Sequence, residues 1–162
     1  MNYYCIRVAY DGTAYAGWQI QTNAISVCGV LQERFAQVFG ATCVIVGASR
    51  TDAGVHAYDQ VARVSTALTL PPAQMLHAWS NRLPSDIVIR SLESCEPSFH
   101  PQYHVAYKEY VYHLFLARPL PFVARFGTAL PEYVRNLDLS LFEKALALFQ
   151  GTHDFTSFAR VE

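Results

Sequence analysis

The order of strand-like and helix-like stretches between Tyr3 and Leu92 most restricts the folds open to this chain. Tyr3 to Tyr10 is rich in aromatic and β-branched residues, the composition of a strand. Ser26 follows as a suitable N-cap. Val27, Val30, Leu31, Phe35 and Val38 then recur at helical spacing, and Gly40 supplies a stop. Cys43 to Val46 is a short apolar strand, Gln60 to Ser65 a third, and Ile87 to Leu92 a fourth. Between the last two, Pro71 and Pro72 open a second helix that runs to about Trp79. The resulting order, β-α-β-β-α-β, is that of the split βαβ, ferredoxin-like arrangement, an α+β class.

After Pro97 the pattern begins again. Tyr107 to Leu116 reads as a long strand with Tyr110, Tyr112 and Leu114 on one face. Arg118 to Pro131 holds several prolines and a glycine and reads as a loop. Ser140 and Glu143 have the spacing of a capping box, followed by an apolar helix face of Phe142, Ala145, Leu146 and Phe149, with Gly151 as its stop. Two units are therefore expected, 1–97 as a ferredoxin-like half and 98–162 as the beginning of a second α/β half. One strand and one helix have too few partners to bury their apolar faces, so the second unit reads as cut short.

Composition limits the function classes. With 52% hydrophobic and 15% charged residues the chain is core-forming rather than disordered. No apolar run approaches the ~18 residues of a membrane span. The start, Met1 to Cys5, lacks the basic-then-apolar pattern of a signal peptide. Cys5, Cys28, Cys43 and Cys95 show no C-x-x-C pairing, which argues against zinc and suits buried thiols in a reducing cytosol. The net charge of −1 gives no overall basic footprint for nucleic acid, so any phosphate contact would need local clustering.

Gly47 to Ala57 concentrates chemistry: Arg50, Thr51, Asp52, Gly54 and His56 lie on a loop after an apolar strand. Arg50 two positions before Asp52 favours the ionised carboxylate, and Gly54 allows a sharp bend or a close ligand. From the residues alone this is either a reactive carboxylate held charged or a salt-bridged turn.

Ala48 to Ala57 resembles the A-G-R-T-D-A-G-V-H-A signature of the tRNA pseudouridine synthase A family at every position but Ser49. Tyr10 to Gln19 is similar to that family's Y-D-G-x-x-Y-x-G-W-Q. Ser26-Val27, Leu83 to Ile87, Phe99-His100, Lys108 to Tyr112 and Gly151 to Phe155 resemble further family motifs, in the family's order. Three departures stand out: Ser49 where Gly is usual, Cys28 for Gln, and Pro101-Gln102 for Ala-Arg.

The resemblance implies isomerisation of uridine to pseudouridine in tRNA, in the anticodon stem-loop, by a homodimer without metal or redox cofactor. It makes Asp52 the catalytic residue, as nucleophile or as the base that starts glycosidic cleavage. Arg50 and Tyr110 then become substrate contacts, Tyr110 by facing the uracil. Thr51, Gly54 and His56 support the loop. Tyr107 and Tyr112 are expected in the core, and Trp18 is either an RNA contact or a hydrophobic anchor. It also implies family chains longer than this one. The rival from pattern alone is a non-catalytic RRM-like RNA-binding module, which shares the element order. That reading lacks an RNP1-like string and leaves Arg50-Thr51-Asp52 without a role.

Overall fold

The computed structural model describes residues 1–130 and 137–158. The chain divides into two units, Met1–Tyr110 and Val111–Glu162, so residues 98–110 go with the first. That unit contains β1 (Asn2–Tyr10), α1 (Val27–Phe39), β2 (Cys43–Gly47), β3 (Ala57–Thr66), α2 (Pro72–Ser80) and β4 (Ile87–Ser94). The strands form one sheet in the order β2-β3-β1-β4, with antiparallel neighbours throughout. Each strand–helix–strand crossover skips one strand, and the skipped strand comes from the other crossover. This is the ferredoxin-like split βαβ read from the sequence.

The local signals explain the elements. Ser26 Oγ accepts from the Gly29 N–H at 3.2 Å, and Gly40 ends α1 in the left-handed conformation at φ 61°. Alternation along β1 sends Tyr4, Ile6, Val8 and Tyr10 to the helix side of the sheet. Val27, Leu31 and Phe35 of α1 and Met75 and Trp79 of α2 cover that side, all five fully buried. Phe35 and Trp79 meet edge to face at 4.9 Å, and Trp79 Nε1–H donates to the Leu31 carbonyl at 3.2 Å. Phe35→Ala is therefore expected to cost about 3–5 kcal/mol. A urea midpoint shift at unchanged slope measures it. A loss under about 1 kcal/mol would contradict this packing.

The opposite sheet face carries cations. Arg7 and Arg90 both pair with Asp59, Arg90 at 3.1 Å, and the Arg7 guanidinium holds the Asp59 carboxyl below its usual range. Arg63 lies over the Tyr3 ring at 5.4 Å and donates to the Phe99 carbonyl at 2.8 Å. A chain of near-zero charge thus has a local cluster of arginines on one sheet face.

The second unit departs from the sequence reading. Only Leu114–Phe115 (β5) of the expected Tyr107–Leu116 strand forms, parallel to Thr128–Ala129 (β6). A strand persists where a neighbour takes up its backbone groups. Among the described residues Tyr107 to Tyr112 have no such neighbour. Tyr107 and Tyr112, expected in the core, are instead 80% and 85% exposed. The expected loop from Arg118 holds a 3₁₀ turn at Ala124–Phe126 as well as β6, and Pro131 lies outside the described residues. Helix α3 spans Leu139–Ala147 and is capped by Asp138, whose carboxylate accepts from the Leu141 N–H at 3.1 Å. Asp138 thus takes the place of the expected Ser140 cap: the helix begins at Leu139, which puts Ser140 inside its first turn, and the Asp138 carboxylate also suits the positive end of the helix dipole. The helix ends before Phe149 and Gly151, and none of its residues is buried. Phe149, Phe155 and Phe158 form a small aromatic group beyond it.

Candidate active site

Two loops of the first unit meet at the end of the sheet where β1 and β2 finish. One, 11–26, joins β1 to α1; the other, 48–56, joins β2 to β3 and carries Arg50, Thr51 and Asp52. The Trp18 N–H donates to the Thr51 carbonyl at 3.1 Å, and the Gly54 N–H to the Tyr15 carbonyl at 3.1 Å. The Tyr10 and Thr51 hydroxyls are 2.8 Å apart. His56 Nδ1 accepts from the Gly12 N–H at 3.2 Å and lies 3.0 Å from the Asp11 carboxylate. Gly17 sits at φ 88°, where a Cβ would stand 2.2 Å from the Thr51 carbonyl oxygen. Only glycine allows that approach.

The supports below are buried. Trp18 is 2% exposed, which makes it an anchor rather than a ligand surface. The Tyr15 hydroxyl donates to Asp86 at 2.6 Å; burial first, and then this bond, push its phenol up, so it stays a donor. The Gln60 amide, itself buried on β3, donates to the Ser49 carbonyl at 2.5 Å.

On top of this base lies a cleft of about 360 Å³, walled by Gln19 and Gln21 from one loop and Arg50, Thr51 and Asp52 from the other. Its size falls at the lower end of small-molecule sites, about 300–1,000 Å³. Asp52 and Arg50 are both exposed, and neither side chain has a protein partner among the described residues. The ion pair expected from their spacing is therefore not formed. Two solvated charges gain little by pairing, and ordering both side chains offsets that gain.

Tyr110 is 64% exposed, its hydroxyl 3.2 Å from Ser49 Oγ, so it stands beside the loop without belonging to a strand. Ser49, a departure from the signature, is thus in contact with Tyr110. Cys28, another departure, is buried with its Sγ 3.8 Å from the Ile45 carbonyl. Of the four cysteines expected to be buried, only Cys28 and Cys43 are; Cys5 and Cys95 are partly exposed. Thr51 and His56 are held by hydrogen bonds within the loop pair, and Gly54 occupies φ 79°.

The sequence reading missed Gln60. Its signal was a polar residue at an inward position of β3, in register with Ala62, Val64 and Thr66. A larger hollow of about 1000 Å³ lies on the helix side between Arg34 and Arg82; of the motif stretches only Leu83 and Pro84 reach it, and no residue of Ala48 to Ala57 does. Among the described residues no group of three or more His, Cys, Asp or Glu is placed to hold a metal ion, and no helix is long and apolar enough to cross a membrane.

The sequence model of the tRNA pseudouridine synthase family matches residues 6–104. The chain is 41% identical over 161 residues to tRNA pseudouridine synthase A 1 of Protochlamydia amoebophila, covering 98% of this chain and 62% of that protein. It is also 41% identical over 155 residues to tRNA pseudouridine synthase A of Thermodesulfovibrio yellowstonii, covering 95% and 60%. A Geobacillus protein of the same name is 41% identical over 152 residues, covering 93% and 60%. The chain thus spans about three fifths of the length of these curated relatives.

Proposed function

This chain belongs to the tRNA pseudouridine synthase family, and we propose on that footing that the protein containing it isomerises uridine to pseudouridine in tRNA. We assign the reaction to Asp52. The observation that carries the assignment is a carboxylate with no side-chain partner among the described residues, on a loop fastened from below at several points, at the wall of a cleft.

The reaction breaks the C1′–N1 bond, turns the uracil, and joins C1′ to C5. N1 gains a proton and C5 loses its hydrogen, so the product is an isomer. An exposed, unpaired carboxylate suits either attack at C1′ or removal of a proton that starts the cleavage. Arg50, without an ion-pair partner among the described residues and on the same wall, is suited to a phosphate of the flipped nucleotide. Thr51, Gly54 and His56 support the loop through the contacts already described.

The finer assignments rest on the family resemblance: a target in the anticodon stem-loop, a homodimer, and action in the cytoplasm. Arg7, Arg63 and Arg90 on the sheet face opposite the helices supply local positive charge for an RNA substrate despite the net charge of −1, although Asp59 offsets part of it.

Because C5 must lose its hydrogen, tRNA carrying tritium at C5 of uridine should release label to water when treated with the whole protein. Absence of release, with no new nucleoside on digestion, would refute the reading. The same assay tests Tyr110. Its exposed ring beside Ser49 is suited to stacking on the base, so Tyr110→Phe should keep most activity and Tyr110→Leu should lose about 1–3 kcal/mol of base contact. Full activity in the Leu variant would remove Tyr110 from the site.

A further inference from the structure

We propose that Tyr10 is a positioning residue for Asp52, acting through the hydroxyl of Thr51; the inference rests on the assignment of the reaction to Asp52. Tyr10 is the last residue of β1, an interior strand, and pairs with Ala57 on one side and Ile87 on the other. Its ring is 5% exposed and packs 6.0 Å from that of Trp18. The phenol is therefore carried by the end of a strand paired on both sides, and its hydroxyl reaches the Thr51 hydroxyl at 2.8 Å.

Thr51 is held at both polar ends, its hydroxyl by Tyr10 and its carbonyl by the Trp18 N–H at 3.1 Å. A β-branched side chain has few rotamers, so holding its hydroxyl restricts the backbone as well. The carbonyl belongs to the peptide that leads directly into Asp52. Asp52 has no side-chain partner of its own among the described residues, so its carboxylate direction depends on that peptide. Gln60 fixes the loop on the far side of Arg50 through the Ser49 carbonyl. The loop is thus held one residue before Arg50 and one residue before Asp52. The Arg50 and Asp52 side chains that line the cleft are left unbonded among the described residues.

A bond serving only to satisfy two hydroxyls would affect stability alone. A positioning bond affects the chemical step, because a reacting group displaced by a fraction of an ångström loses its near-attack geometry. Tyr10→Phe removes only the hydroxyl and keeps the buried ring. The whole protein is compared with Tyr10→Phe, Thr51→Val, Thr51→Ser and the Tyr10→Phe/Thr51→Val double variant in single-turnover tritium release and in tRNA binding. The expected result is a rate roughly five- to tenfold lower for Tyr10→Phe and for Thr51→Val, the effect of one lost hydrogen bond. The dissociation constant for tRNA should be unchanged within about twofold. Thr51→Ser, which keeps the hydroxyl but not the β-branch, should recover most of the rate lost in Thr51→Val, and the double variant should be no slower than the slower single, as coupled residues behave.

Single-variant losses that multiply in the double variant would overturn the proposal, as would a parent-like rate for Tyr10→Phe. Asp52→Asn serves as the separate control. If it is inactive while Tyr10→Phe is unimpaired, positioning fails and the Asp52 assignment stands. If Asp52→Asn is active, the assignment itself fails.

Discussion

Replacing Asp52 by Asn in the whole protein should leave tRNA binding nearly intact and lower pseudouridine formation by on the order of 10⁴-fold or more. Asn keeps the size and shape of the side chain but removes the negative charge and its basicity. The Asp52 carboxylate supports no part of the fold: it is exposed and bonds to no other side chain among the described residues. The Thr51 and Gly54 bonds to the neighbouring loop use other atoms, and even the turn bond at Asp52 uses its carbonyl oxygen, which accepts from the Val55 N–H at 3.2 Å. The substitution should therefore leave the melting temperature unchanged, and loss of rate at constant stability is the diagnostic pair. Tritium release within tenfold of the parent would remove Asp52 from the reaction.

Gly17→Ala should be damaging for the opposite reason, since Gly17 bears no reactive group. Its φ of 88° lies in the region that costs an L-residue roughly 1–2 kcal/mol. The added Cβ would also stand 2.2 Å from the Thr51 carbonyl oxygen and 3.0 Å from the Asp52 carbonyl carbon. Both are backbone atoms, so no rotamer change relieves the contact and one loop must move away. A displacement near 1 Å at a reacting group can cost about 10²-fold in rate. Gly17→Ala should thus lose both stability and turnover, measured by urea unfolding and by single-turnover release. Gly40→Ala is a suitable contrast: φ is positive there too, at 61°, but nothing lies within 4 Å of the added carbon. It should show the backbone strain alone, at full activity. Equal activity in the two variants would mean that the close approach at Gly17 does not govern the site.

The first unit was legible because its local signals agree with its packing. Ser26, Gly40 and Pro72 mark helix ends whose apolar faces meet alternating strands, and β1, α1 and α2 lie where those residues put them. β3 begins three residues before the expected Gln60, because Tyr10 supplies a pairing partner for Ala57 that composition does not reveal. The Tyr107–Leu116 run failed for a related reason. Its residues favour strands, but a strand is completed by a neighbour, and the run itself does not encode one. In the site, the sequence placed Arg50, Thr51 and Asp52 on one loop, and they line one cleft. It misjudged the Arg50–Asp52 pair because spacing says nothing of solvation. Tyr10, Gly17 and Gln60 hold that loop from separate segments, and such contacts become visible only when the sheet is assembled.

The strand order also bears on how the chain is made. β1 is translated first, yet it is an interior strand, and its two neighbours are separated from it by long stretches of chain: Tyr4 pairs with Val64 and with Ser94. At about 5–20 residues per second, the ribosome adds the intervening residues up to β4 in roughly 5–18 s. During that interval one edge of β1 lacks its partner strand. The cleft has the same dependence, since the Asp11 N–H donates to the Asp86 carbonyl at 2.9 Å and the Tyr15 hydroxyl to the Asp86 carboxylate. The loop that underlies Asp52 therefore receives its last fastenings only when the start of β4 has left the exit tunnel. Vectorial synthesis thus leaves the nascent sheet with an unpaired edge, a site for misassociation or chaperone capture, and delays completion of the loop pair beneath the cleft until the final strand of the half has arrived.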